Sequence, residues 1–136
     1  MIVEWNMHMF SSDTGTYPWH PKAAYIPPQG RWQPDPLAIY LESLDARGID
    51  RAVLVQPEPY GDDHRLALDC LQREPERIKA TCLFYPKDPE AVSKLRALAA
   101  ERSRIVALRF HAHRGKTSYL ESFDAPYAHS LSQSSS

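Results

Sequence analysis

What most constrains this chain is the regular alternation of short apolar runs with longer amphipathic ones. Three β-branched, apolar runs, "RAVLVQP", "IKATCLFYP" and "IVALRFHAHRG", begin at Arg51, Ile78 and Ile105, 27 residues apart. That interval is close to the size of a compact βαβ unit. The stretches between them, "HRLALDCLQREPER" and "DPEAVSKLRALAAER", read as helices, the second opened by an Asp-Pro pair. A further helix is written in "PDPLAIYLESLDARGID". Asp35 can cap its free amide groups, Pro36 suits the first helical position, and Gly48 suits the stop. Leu37, Tyr40, Leu41 and Leu44 recur at helical spacing on one face. Strict alternation of this kind predicts an α/β chain with a parallel sheet, either doubly wound or rolled into a barrel. No G-x-G-x-x-G follows any of the strands, so nothing supports a dinucleotide site.

The pattern of each strand helps choose between the two. In the last run, Val106, Leu108, Phe110 and Ala112 share one side, while Ile105, Ala107, Arg109, His111 and His113 share the other. The second side begins apolar and ends cationic or titratable. The opening "VEWNMHMF" behaves alike, with Ile2, Glu4, Asn6 and His8 on one side and Val3, Trp5 and Met7 on the other. An inner face that turns polar toward the C-terminal ends of its strands matches a barrel whose site lies at that rim. A flavodoxin-like open sheet is the competing shape, but the helices look too few to cover both faces. Between the first strand and the first helix, "YPWHPKAAYIPPQGRWQPDP" holds many of the 12 prolines. It is expected as a long irregular loop with a pinned backbone, carrying Tyr17, Trp19 and His20 over or beneath the pocket.

These residues resemble a known family. Glu4, Asn6 and His8 stand where the amidohydrolase-related (β/α)8 barrels carry an acid-x-His-x-His element at the end of strand one. "YPW" at Tyr17 to Trp19 and "GIDRAVLVQPEPYGDDHRLALDCL" from Gly48 to Leu71 resemble the branch of 2-pyrone-4,6-dicarboxylate lactonase and related sugar lactonases. Asn6 replaces the first histidine of the element, and Asp63-His64 stands where that branch has an Asp-Asn pair. The resemblance runs to about Phe123. It implies a partial (β/α)8 barrel, with about the first four βα units in residues 1–123, because a complete barrel takes about 250 residues. Residues 124–136, ending in a Ser-rich run, are expected as a disordered or non-native tail.

The implied activity is that of a hydrolase acting on a lactone or similar carbonyl ester of a carboxylated small molecule. His8 and Asn6 are the candidate catalytic residues. Arg109, Gln56, His111 and His113 are the candidate substrate-binding residues, with Arg109 suited to grip a carboxylate through two parallel hydrogen bonds. His8 is also the candidate metal ligand, for one divalent ion (Zn or Mn) or none, since Asn6 is a poorer ligand than imidazole. Each residue has a plainer reading. His8 could be a hydrogen-bonded core histidine, Asn6 could satisfy neighbouring backbone, Gln56 could cap a strand, and His113 could be a solvated strand end. Glu4 is expected to orient a neighbour rather than react. The family's later histidines and its strand-eight aspartate base have no counterpart here, so the chain alone is expected to be inactive or nearly so. An inactive remnant or assembly partner, and a decarboxylase of the same superfamily, are the alternatives.

Charge and composition exclude other classes. With 16 basic and 17 acidic residues and a net charge of −1, the chain has no electrostatic footprint for nucleic acid or an anionic membrane surface. No apolar run approaches the ~20 residues of a membrane span, and no leader pattern opens the sequence. Cys70 and Cys82 are expected as buried thiols in a cytoplasmic setting rather than as a disulfide. The partners expected are therefore a carboxylated small molecule and a second copy pairing through open barrel edges, with an uncovered inner face.

Overall fold

The computed structural model describes residues 1–101 and 104–110, with the backbone of 113–114 and 117–118. Four strands form one parallel sheet in chain order: β1 (Val3–Met7), β2 (Arg51–Val55), β3 (Ile78–Leu83) and β4 (Ile105–Arg109). Helices α1 (Pro36–Ala46), α2 (Arg65–Arg73) and α3 (Ala91–Ala100) connect them in turn. A strand order that follows the chain, without a reversal, is that of a barrel arc and not of a flavodoxin-like sheet.

The first helix forms as its sequence dictates. Asp35 Oδ1 accepts the Ala38 N–H at 3.1 Å, and Pro36 needs no partner at the first turn. Gly48 ends it at φ +65°, a left-handed turn open to glycine, and the Ile49 N–H closes back on Leu44 O at 2.9 Å. The third helix starts later than its Asp-Pro pair suggests, at Ala91, because the Asp88 carboxylate accepts the Glu90 N–H in a turn at 2.9 Å.

Helices cover one face of the sheet. Ala52, Leu54, Ile78 and Ala80 are buried there with Leu37, Tyr40, Leu44, Leu66, Ala67, Cys70 and Leu71. Cys82 packs with Phe84, Ala91, Leu95 and Leu98, joined by Ile105, Leu108 and Phe110. Strand alternation turns Val53, Val55, Thr81 and Leu83 to the other face, yet these are buried too. The expected bare inner face is thus not found on the two central strands.

Two irregularities depart from simple alternation. The β1–β2 register shifts between Trp5 and Met7, and Asn6 takes φ +82°. One extra residue in a strand reverses the side on which everything beyond it points. Glu4 therefore faces α1, where Tyr40 and Arg47 each donate to its Oε2 at 2.8 Å, and not the face that carries His8. A second shift falls between Ala80 and Thr81 opposite β4, which sets Ile105 among the helix-facing residues. Further on, β4 ends at Arg109. His113 lies instead in a separate two-stranded antiparallel hairpin (His113–Arg114 with Thr117–Ser118), so it does not continue the Arg109 face. His111 lies outside the described residues.

His64, at the start of α2, is buried and serves the fold. Its Nε2 accepts the Leu83 N–H at 3.0 Å. That bond requires a neutral ring, and burial pushes its pKa down to about 4, from 6.5. A group depressed in the folded state stabilises the fold above its unfolded pKa, and the benefit fades as pH falls toward the folded one. Denaturant unfolding should therefore show about 2 kcal/mol lost between pH 6.5 and 5. His64→Gln should remove most of that slope.

Candidate functional site

The ends of β1 and β4 meet over the end of β2. His8 Nδ1 lies 2.9 Å from Val55 O, and Arg109 Nη1 donates to Gln56 O at 3.1 Å. Two side chains far apart in sequence, one just past β1 and one at the end of β4, thus hang from successive carbonyls where β2 ends. Since a carbonyl can only accept, the His8 proton is on Nδ1 and the lone pair is on Nε2. Burial lowers the His8 pKa; the Val55 bond opposes this, and the charges of Arg109 and Arg31 add to it. A neutral imidazole with its lone pair on Nε2 is the state at neutral pH. Arg109 is itself partly buried, which lowers its pKa, while Tyr25 and Glu58 act in the opposite sense on it. It remains cationic.

The loop after β2 builds the floor. Gln56 is 1% exposed, and its side-chain amide donates to Gly61 O at 3.0 Å and Asp63 O at 2.7 Å. The expectation that it points into the rim is not met. Alternation turns it to the helix side, where it closes the loop, and only its carbonyl reaches the site. Asn6 occupies the bulge and is exposed, two residues before His8. In this loop Glu58, also buried, accepts the Ala24 N–H at 3.1 Å on each carboxylate oxygen, tying the Pro-rich segment down.

Further bonds order that segment. His20 N–H donates to Pro59 O at 2.8 Å, and His20 Nε2 lies 3.0 Å from Asp62 Oδ1. Trp19 stacks on Tyr60 with ring centroids 4.9 Å apart, beside Phe10 and Trp32, so it packs beneath the site rather than over it. The Tyr17 hydroxyl donates to Asp69 on α2. Arg31, in a short 3-10 turn (Gln29–Arg31), lies with its guanidinium 5.0 Å from the Phe10 ring centroid. A cavity of about 320 Å³ opens between β1 and α1. His8, Arg31, Gln33 and Tyr40 line it, but Arg109 does not, so it flanks the His8–Arg109 pair rather than enclosing it.

Sequence reading thus placed His8 and Arg109 together and missed Glu58, Tyr25 and Arg31. The run "QPEPYG" held a usable signal, a carboxylate between prolines directly after a strand end. Tyr25 and Arg31 lie in a segment without periodicity, where only coordinates show which side chains turn inward. Cys70 and Cys82 are free, buried thiols, each pushed up to about 12 by burial, which keeps them protonated and unreactive.

A divalent cation does not fit the donors seen. Glu4 is taken up by Tyr40 and Arg47, Asn6 offers an amide, and among the described residues no three His, Cys, Asp or Glu side chains converge. No helix among the described residues is long and apolar enough to cross a membrane.

The amidohydrolase family model matches residues 7–128, most of the chain. Among curated proteins, 4-sulfomuconolactone hydrolase of Rhizobium radiobacter is 28% identical over 110 residues, covering 81% of this chain and 34% of that protein. The enzyme of the same name from Hydrogenophaga intermedia is 31% identical over 81 residues, or 60% of this chain and 25% of that protein. This chain therefore spans about a third of the one relative and a quarter of the other. A probable 2-pyrone-4,6-dicarboxylic acid hydrolase from Acinetobacter baumannii, solved with citric acid bound, superposes with a TM-score of 0.70 at 19% identity. That match covers 98% of this chain and 45% of that one. The chain belongs to the amidohydrolase family, and its four-stranded sheet corresponds to part of an amidohydrolase (β/α)8 barrel. Members of the family are often metal-dependent.

Two measurements check this geometry. In an NMR titration the His8 ring should titrate below the ordinary 6.5, and Arg109→Ala should raise its pKa by removing a neighbouring positive charge. Gly61 sits at φ +56° with room for no side chain; a Cβ there would lie 2.5 Å from the Tyr85 hydroxyl and 2.6 Å from His20 Cγ. Gly61→Ala should therefore cost about 2 kcal/mol or more in denaturant unfolding, with His20 resonances displaced.

Proposed function

We propose that this member of the amidohydrolase family contributes the N-terminal share of a lactone-hydrolase site whose substrate carries a carboxylate. The observation behind the reading is the tethering of a neutral His8 and a cationic Arg109 to the adjacent carbonyls of Val55 and Gln56. Arg109 anchors the substrate carboxylate through its remaining guanidinium N–H groups. His8 presents Nε2 as a proton acceptor, so its part is to draw a proton from the water that attacks the lactone carbonyl. In that role it does not polarise the carbonyl, since Nε2 has no hydrogen to give. Asn6, exposed two residues before it in the chain, is assigned the donor role toward the carbonyl oxygen. The names of the curated relatives, both lactone hydrolases, support the reaction class. Because the chain spans only about a third and a quarter of those relatives, full turnover draws on barrel strands beyond the four described. The reduced, buried thiols are in keeping with a cytoplasmic setting.

The test is a titration of the purified chain with carboxylated lactones and with their neutral methyl esters, read from the His8 ring and the Arg109 side chain by NMR. Saturable shifts with the acids, weakened roughly ten-fold or more in Arg109→Ala, are expected. His8→Ala should keep the binding while reducing any turnover by about a hundred-fold or more. Equal binding of acid and ester would refute the assignment.

A further inference from the structure

Arg109 is held by a backbone carbonyl, which sets only a partial charge against a full one. Its Nη1 donates to Gln56 O at 3.1 Å, and the group is partly buried, which disfavours the cation. A guanidinium drawn out of water needs an anion nearby. Tyr25 and Glu58 act on it in the opposite sense to burial, and of the two only a carboxylate is charged at neutral pH. Glu58 stands two residues beyond the Gln56 carbonyl, at the start of a 3-10 turn (Glu58–Tyr60). It is 6% exposed and accepts the Ala24 N–H at 3.1 Å on both oxygens. Ala24 directly precedes Tyr25, so this one bond joins the two residues that act on Arg109. Buried in this way, Glu58 is placed to act by its charge rather than by touching a ligand.

We propose that Glu58 is a positioning residue acting through Arg109, an internal counter-ion that holds the guanidinium at the rim and limits its grip on anions. This role rests on the reading of Arg109 as the carboxylate anchor of a lactone hydrolase. Opening a lactone takes up one water: the ring ester C–O bond breaks and the carbonyl carbon gains the water oxygen. One water proton ends on the ring oxygen as a hydroxyl, and the other is released to solvent, leaving a new carboxylate. A carboxylated lactone thus enters with one negative charge and departs with two. A fixed anion beside Arg109 repels the dianion more than the monoanion. Product release limits turnover in many enzymes, so a charge that weakens product binding more than substrate binding serves the rate.

The probes are γ-carboxy-γ-butyrolactone, its methyl ester and its ring-opened product 2-hydroxyglutarate, titrated into the purified chain and read from the Arg109 side chain by NMR. Glu58→Gln keeps an oxygen for the Ala24 N–H and removes the charge. It should tighten the lactone acid about three-fold or more and 2-hydroxyglutarate about ten-fold or more, with the methyl ester unchanged. Glu58→Asp keeps the charge and shortens the reach to Ala24. It should displace the Ala24 amide resonance yet bind both anions within about two-fold of the wild type. Looser anion binding in Glu58→Gln, or equal gains for the lactone acid and 2-hydroxyglutarate, would overturn the proposal. So would a rise in anion affinity in Glu58→Asp. If the wild type binds the acid and its methyl ester equally, Arg109 is not the anchor and the role of Glu58 falls with it. Unchanged affinity in Glu58→Gln, with the acid still preferred over the ester, leaves the anchor standing and removes the role of Glu58 alone.

Discussion

Everything in the site depends on two successive peptide carbonyls at the end of β2, that of its last residue and that of the residue just after it. Val55 O holds His8 and Gln56 O holds Arg109, while the Gln56 side chain ties the loop that follows to its own strand. A central strand has its ladder partners on both sides, so its backbone cannot shift without breaking both pairings. Side chains tethered to it take on that rigidity. The helix layer secures the strand from behind, through Ala52 and Leu54 buried against α1 and α2. Preorganisation of this kind is what allows two long-range partners to hold a fixed separation with little further entropy to lose.

The electrostatic consequence is a division of labour. One lone pair stays available because its histidine is kept neutral by burial and by nearby guanidinium charge. One cation stays poised because a backbone carbonyl and the field of Glu58 steady it. Glu58 also accepts the Ala24 amide, so the carboxylate that faces Arg109 is the one that fastens the proline-rich segment. Order in that segment and charge balance at Arg109 are therefore linked through a single side chain.

Much of the frame was legible in the residues themselves. The repeat of 27 residues, the Asp35-Pro36 start and the Gly48 stop each encode local geometry directly, and each element formed where they indicated. Apolar runs likewise marked all three later strands. What the pattern could not convey was phase. A bulge at Asn6 and a slip opposite Ala80 reverse the face of neighbouring residues without any change in composition. Glu4 was therefore assigned to the wrong side, although its glutamate-arginine pairing across 43 residues gives it an ordinary helix-layer role. Gln56 was misplaced for a related reason: simple alternation from Val53 and Val55 already turned it away, but a polar residue at a strand end invites the opposite reading. Loop residues such as Tyr25 and Arg31 were invisible because no periodicity governs a proline-rich connection.

The single extra residue at position 6 also splits the first strand into two independent halves. Before it, the backbone belongs to the helix layer and to the rim of the sheet; beyond it, the chain serves chemistry at His8. Mutational drift, or a protein engineer wanting a better-behaved molecule, can rewrite the exposed Val3 and Trp5 while Glu4 keeps its hold on α1 and His8 its anchor on Val55. Solubility and reactivity are in this sense separately evolvable properties of one short strand.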